Sequence, residues 1–136
     1  MKRIPLVAVF LAKGKSVLAE VRKPTDSFGA GETWIPGGHV ENGETSDEAI
    51  QRECGEEFGI RITEFRKLCK LPWQRGGKKY SVQYYSCKKW KGKIRNREAA
   101  KLIRIARNEM EKLIGVDRKA FMKLIATEKQ FSLKAV

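Results

Sequence analysis

Three glutamates, Glu53, Glu56 and Glu57, stand at i, i+3 and i+4 within the run RECGEEFGI. If that run is helical, each residue turns by about 100° and the three carboxylates share an arc of roughly 100°. Like charges at this spacing repel by about 0.2–0.5 kcal/mol per pair. Gly55 costs the same helix about 1 kcal/mol relative to alanine. A hard divalent cation, Mg²⁺ or Mn²⁺, turns the repulsion into attraction, because it binds carboxylate oxygen and keeps waters to share with phosphate. The competing reading is a solvated acidic face in which Arg52 pairs with Glu48 or Glu56. The flanking residues favour the cation. Pro36-Gly37-Gly38 ends an extended piece and Gly43-Glu44 makes a turn before the helix. Glycines there let the backbone fold close to a ligand.

These carboxylates need a helix that starts after Thr45. Thr45 and Glu48 have capping-box spacing, and Asp47 and Glu48 suit the positive end of the helix dipole. Ile50, Cys54 and Phe58 recur every four residues as a buried stripe, and Gly59 is the natural stop. Upstream, the pattern predicts a strand from Ile4 to Ala12, a turn at Lys13-Gly14-Lys15 and a partner strand from Ser16 to Val21. Residues 23–33 form a loop with Pro24, Asp26, Ser27, Gly29 and Gly31, followed by the short extended pair Trp34-Ile35. Downstream, two strand-like runs lie near 60–71 and 79–89 about the turn-rich QRGGKK. Another strand spans Ala100 to Ala106. Helices are expected over Asn108–Ile114 and Arg118–Thr127, with Gly115 and Asp117 as stop and start. That order predicts one α/β domain over 1–136, a mixed sheet covered by helices.

The chain carries a net charge of +13, yet the stretch 36–60 holds seven of its sixteen carboxylates and nets −6. The remainder therefore carries +19. A basic surface favours polyanionic partners; a lysine-rich solvated surface, as in heat-adapted proteins, is the alternative. The segment KKWKGKIRNR at 88–97 gathers cations around Trp90 and could track an RNA backbone. Cys54, Cys69 and Cys87 are odd in number and lack metal-ligand spacing, which suits a reduced, cytoplasmic setting. The opening MKRIPLVAVFLAKGK has a signal-peptide flavour, but Pro5 interrupts it and SVLAEV follows directly, so a strand and turn is the better reading. No apolar stretch is long enough to cross a bilayer.

From Gly38 the sequence reads: five residues, Glu44, seven residues, then Arg52-Glu53-Cys54-Gly55-Glu56-Glu57-Phe58-Gly59-Ile60. This resembles the Nudix box of the Nudix hydrolases, with each fixed Gly, Glu and Arg in place over 23 residues. Cys54 departs from the family's usual bulky aliphatic residue, although cysteine also serves as a small hydrophobe. Residues 61–136 match in pattern rather than motif. The resemblance implies an α/β/α sandwich on a mixed sheet, and water attack on the diphosphate of a nucleoside diphosphate linked to another moiety. It implies Mg²⁺, with Mn²⁺ as a substitute, held by Glu53, Glu56, Glu57 and Gly38. By the same likeness Arg52 orients the acidic cluster through ion pairs, and Glu44 helps shape the loop.

Two candidates stand for the catalytic base. Glu53 is the first. Glu98 is the second, being the only acid between Glu64 and Glu109; its competing reading is a surface residue paired with nearby lysines. For substrate, Arg22 and Lys23 at the end of the second strand are placed to meet phosphates. Tyr80 is the aromatic favoured for base stacking. Tyr84 and Tyr85 point to opposite faces of a strand, so at least one belongs to the core. His39, the only histidine, reads as a hydrogen-bonding loop residue. Nucleoside triphosphates, ADP-ribose and dinucleoside polyphosphates all remain open as substrates. So do an RNA-binding module or an RNA 5′-end pyrophosphohydrolase working through 88–97, and the oligomeric state, a dimer included.

Overall fold

The computed structural model describes residues 2–131. β1 (Ile4–Lys13) and β2 (Ser16–Val21) form the expected hairpin, turning at Gly14 with φ 61°. β3 (Thr33–Trp34) and β4 (Gly37–His39) are short. α1 (Ser46–Phe58) follows, then β5 (Arg61–Arg75), β6 (Lys78–Lys91), β7 (Lys101–Ala106) and α2 (Gly115–Thr127). Among these residues seven strands make one mixed sheet in the order β3-β2-β1-β6-β5, with β4 added to β1 and β7 to β2. Only the β1–β6 pairing is parallel among the named strands. β1 lies in the interior of the sheet and both its faces are covered, which is why it is apolar nearly throughout.

Alternation along β1 divides the core in two. Val7, Val9 and Leu11 face α1 and pack with Ala49, Ile50, Cys54 and Phe58. Ala8, Phe10 and Ala12 face α2 and pack with Val116, Ala120, Phe121 and Leu124. Each large side chain so buried contributes about 1.5–3 kcal/mol. Tyr84 and Tyr85 continue the division, one in each half-core. The result is the α/β/α sandwich with a mixed sheet that the resemblance implied.

Three boundaries differ from the sequence reading. β5 and β6 run on through Gln74, Arg75, Lys78 and Lys79, because Gly76 and Gly77, with φ 58° and 75°, reverse the chain by themselves. Residues 107–112 form a 3₁₀ stretch rather than an α-helix. The Ile114 N–H then donates to the Thr33 carbonyl (3.4 Å), which draws the chain towards β3. α2 therefore begins at Gly115, not after it, and its first turn already contains Asp117. The Arg118 N–H donates to the Ile114 carbonyl (2.9 Å) to close that turn.

Candidate active site

α1 is held at both ends as its sequence predicts. The Glu48 N–H donates to Thr45 Oγ1 (3.1 Å) and the Thr45 N–H donates to Glu48 Oε1 (2.9 Å). Gly59 closes the helix in the left-handed conformation at φ 70°. With Glu48 occupied in the cap, Arg52 turns to other acids. Its Nε and Nη2 form a two-pronged bond to Glu44 (2.7 and 3.1 Å), and Nη1 reaches Glu53 and Glu56, each at 3.1 Å. Nη2 also donates to the His39 carbonyl (2.9 Å). One guanidinium thus ties α1 to the loop before it. The bond from Arg52 is the main reason Glu44 titrates below its ordinary value.

Two further carboxylates lie deeper. Glu57 on α1 is 5% exposed and Glu20 on β2 is 4% exposed. Among the described residues no donor hydrogen-bonds either carboxylate. Burial pushes the Glu57 carboxyl up, with the charges of Glu20, Glu53 and Glu98 next, to about 10. Burial likewise raises Glu20 and Glu53 to about 7, against the pull of Arg22 on the first and Arg52 on the second. Glu98 is exposed, on a segment strapped over α1. The Arg95 and Arg97 N–H groups donate to the Phe58 and Glu57 carbonyls (3.0 and 3.2 Å). The strap brings the Glu98 charge over the buried acids, where it raises all three.

Gly38 faces this cluster with no side chain. A Cβ there would lie 2.3 Å from Glu53 Oε1, so only glycine lets that carboxylate sit against the backbone. Among the described residues no three carboxylates are already drawn round a common point. The donor set nonetheless fits a hard divalent cation: it is all oxygen, densely anionic, and two buried members accept no hydrogen bond and make no ion pair among the described residues. Glu20, Glu53 and Glu57 are the residues such an ion would neutralise, with Glu56 at the rim.

On the α2 side of Gly37-Gly38 opens a cavity of about 190 Å³. Trp34, Trp73, Tyr80 and Phe28 wall it, with ring centroids 5.1 Å apart for Trp73–Tyr80 and 5.5 Å for Phe28–Trp34. Arg22 lies 4.5 Å over the Trp34 ring and its Nε donates to the Phe28 carbonyl (2.8 Å). Asp117 lines the same cavity, buried. It accepts from Tyr84 Oη (2.5 Å) and from the Ile35 N–H (2.8 Å). Burial lifts its carboxyl to about 6 despite those two bonds.

Comparison with known proteins decides the family. The NUDIX domain model matches residues 2–125. The chain belongs to the NUDIX family. The 8-oxo-dGTP diphosphatase of Escherichia coli (strain K12) is 26% identical over 92 residues, 68% of this chain and 71% of that protein. The MutT protein of Methanosarcina mazei Go1 superposes with a TM-score of 0.83 at 20% identity, over 95% of this chain and 99% of its own. The MutT NUDIX hydrolase of Burkholderia pseudomallei gives 0.80 at 21%, over 91% and 99%.

In this NUDIX protein the structure gathers Arg52, Glu53, Glu56, Glu57, Gly38 and Glu98 at one end of α1. Arg22 and Tyr80 border the cavity, whereas Lys23 is exposed in the loop beyond β2 and does not line it. Trp90 lies elsewhere, in a groove with Lys13, Lys93 and Arg104. Neither Glu20 nor Asp117 is given a site role by the sequence alone. The signal for Glu20 was available: an acid inside the strand SVLAEV, on the same face as Leu18. Asp117 read only as a helix start. Cys54, Cys69 and Cys87 are free thiols. No helix among the described residues is long and apolar enough to cross a membrane.

Proposed function

We propose that this NUDIX protein is a Mg²⁺-dependent pyrophosphohydrolase of a purine nucleoside triphosphate. One observation carries the reading: an aromatic cavity and a carboxylate cluster, two of whose buried members lack any hydrogen-bond donor among the described residues, stand on either side of the thin Gly37-Gly38 crossing. A base held among Trp34, Trp73, Tyr80 and Phe28 stacks on π-faces, worth about 1–3 kcal/mol per base. Asp117, which lines the cavity, is the candidate acceptor for the N–H edge of a guanine-like base. Arg22, stacked on Trp34, stands at the mouth to meet the phosphates. The Escherichia coli relative is named for 8-oxo-dGTP, so oxidised guanine nucleotides are the first candidates, ahead of ADP-ribose and dinucleoside polyphosphates.

Hydrolysis adds one water across a phosphoanhydride and yields nucleoside monophosphate and pyrophosphate. When bound, Mg²⁺ supplies neutralisation of the charge on the phosphate oxygens. Glu53 is the first candidate to take the water's proton, since its carboxylate stands within the cluster, against the Gly38 backbone. Glu98, carried over the cluster by its strap, is the second. Arg52 holds Glu53 and Glu56 on the face of α1 that meets the Gly38 loop.

The test is to incubate the full chain with Mg²⁺ and a panel of nucleotides, separating products by chromatography. Monophosphate and pyrophosphate should appear fastest from guanine or oxidised-guanine triphosphates, at least tenfold ahead of ADP-ribose. Faster turnover of ADP-ribose, or no Mg²⁺-dependent turnover at all, would defeat the reading. A second reading, action on RNA 5′ ends, is favoured by the groove of Lys13, Trp90, Lys93 and Arg104. It requires RNA binding that weakens steeply with salt and with Lys93→Ala.

A further inference from the structure

β2 supplies the one buried site carboxylate that the helix spacing does not explain. Strand residues alternate between faces, so Leu18 and Glu20 share a side. Leu18 packs into the core beneath α1, whereas Val17 and Ala19 pack into the core beneath α2. Leu102, opposite Glu20 on β7, also packs on the α1 side. Glu20 is therefore aimed at α1 and is 4% exposed. A buried charge is costly unless something pairs with it. Its neighbour Arg22 is committed to the Phe28 carbonyl (2.8 Å), Asp26 (3.7 Å) and the Trp34 ring (4.5 Å). No ion pair or hydrogen bond from a described residue reaches Glu20. The Arg22 charge is the strongest acting on Glu20, but the others, Glu98, Glu53 and Asp117, share its own sign, and it in turn acts on Glu57. A glutamine or leucine would meet any purely structural need here at lower cost.

We propose that Glu20 is a further carboxylate ligand of the divalent-cation site, reaching the ion from the sheet while Glu53, Glu56 and Glu57 reach it from α1. The inference rests on the metal-dependent reading above. It makes the site a clamp between two elements rather than one face of a helix. It also accounts for the carboxylate's position: a cation is the partner the fold omits.

Mn²⁺ titration of the full chain, followed by electron paramagnetic resonance of the free ion, tests this in the absence of substrate. Glu20→Gln should weaken Mn²⁺ binding at least tenfold and Glu57→Gln more, while Glu64→Gln, on the surface beside Lys89, changes nothing. Without metal, Glu20→Gln should melt at or above wild type, and the rise in melting temperature on adding Mn²⁺ should shrink. Glu20→Leu, matched to the surrounding core, should repeat both effects. Mn²⁺ affinity within twofold of wild type in Glu20→Gln, alongside clear loss in Glu57→Gln, overturns the role of Glu20 and leaves the metal site standing. Unchanged affinity in both overturns the metal site as well. If both Glu20 variants melt well below wild type without metal, the carboxylate serves the fold and the proposal fails.

Discussion

Glu57 and Glu128 are both carboxylates withdrawn from solvent, 5% and 6% exposed, yet their surroundings are opposite. Glu128 sits at the C-terminal end of α2. Burial alone would raise its carboxyl, but Lys88 (3.0 Å), Ser86 (2.9 Å) and Arg66 (2.7 Å) more than offset this and hold it below the ordinary range. Those donors come from β5 and β6, so Glu128 fastens the helix to the sheet. Glu57 has no donor among the described residues, and the charges of Glu20, Glu53 and Glu98 raise it further, against a smaller pull from Arg22. The fold supplies partners to the carboxylate that serves stability. It leaves Glu57, the proposed metal ligand, without one.

Four measurements test that contrast. The largest effect is expected from Glu57→Gln, which should lower kcat about a thousandfold or more in the presence of Mg²⁺. The same variant without metal should melt no lower than wild type; a clear drop would erase the distinction. Glu128→Gln should do the reverse, costing about 2 kcal/mol in urea unfolding while kcat stays within twofold. Trp73→Ala sharpens the separation of cavity from cluster. It should raise KM for the triphosphate about tenfold and move kcat little, as lost stacking would.

The smallest effect is in pH. Glu20 and Glu53 rise from an ordinary value of 4.5 to about 7, and Glu57 to about 10, so the native state binds their protons more tightly than the unfolded chain. Their stabilising contribution is complete below about pH 4.5 and is lost as pH climbs through 7 and towards 10. Glu128 has the opposite sign, contributing above its unfolded value and losing that contribution in acid. Metal-free protein should therefore melt about 5 °C or more lower at pH 8 than at pH 5, and saturating Mg²⁺ should flatten the difference. An unchanged slope with Mg²⁺ would show that the ion does not meet these groups.

The sequence made the helix side of this site readable and concealed the strand side. α1 advertises itself through local signals only: a capping box, a four-residue stripe, a terminal glycine and glutamates spaced by one turn. Glu20 is concealed because an acid in an alternating strand ordinarily faces water, and β2 is covered on both faces only once α1 and α2 are in place. Asp117 is concealed for a similar reason. Its partners Ile35 and Tyr84 lie 82 and 33 residues away, and no local pattern joins them. The helix expected over Asn108–Ile114 is present as a 3₁₀ stretch over 107–112, and Ile114, at its expected end, is instead drawn to Thr33 across the molecule. The aromatic cavity likewise draws Phe28, Trp34, Trp73 and Tyr80 from three separate segments.

The Gly37-Gly38 crossing has a consequence for how such a protein can be diversified. Gly37 has no room for a side chain, since a Cβ would lie 1.9 Å from the Val7 carbonyl oxygen, whereas at Gly38 a Cβ would meet only the movable end of Glu53. The crossing is thus barred to substitution at Gly37, while the walls of the aromatic cavity are not. If the proposed function holds, randomising Phe28, Trp73 and Tyr80 should redraw which nucleobase is admitted and leave the carboxylate cluster untouched, much as a lock accepts a new cylinder without a new door.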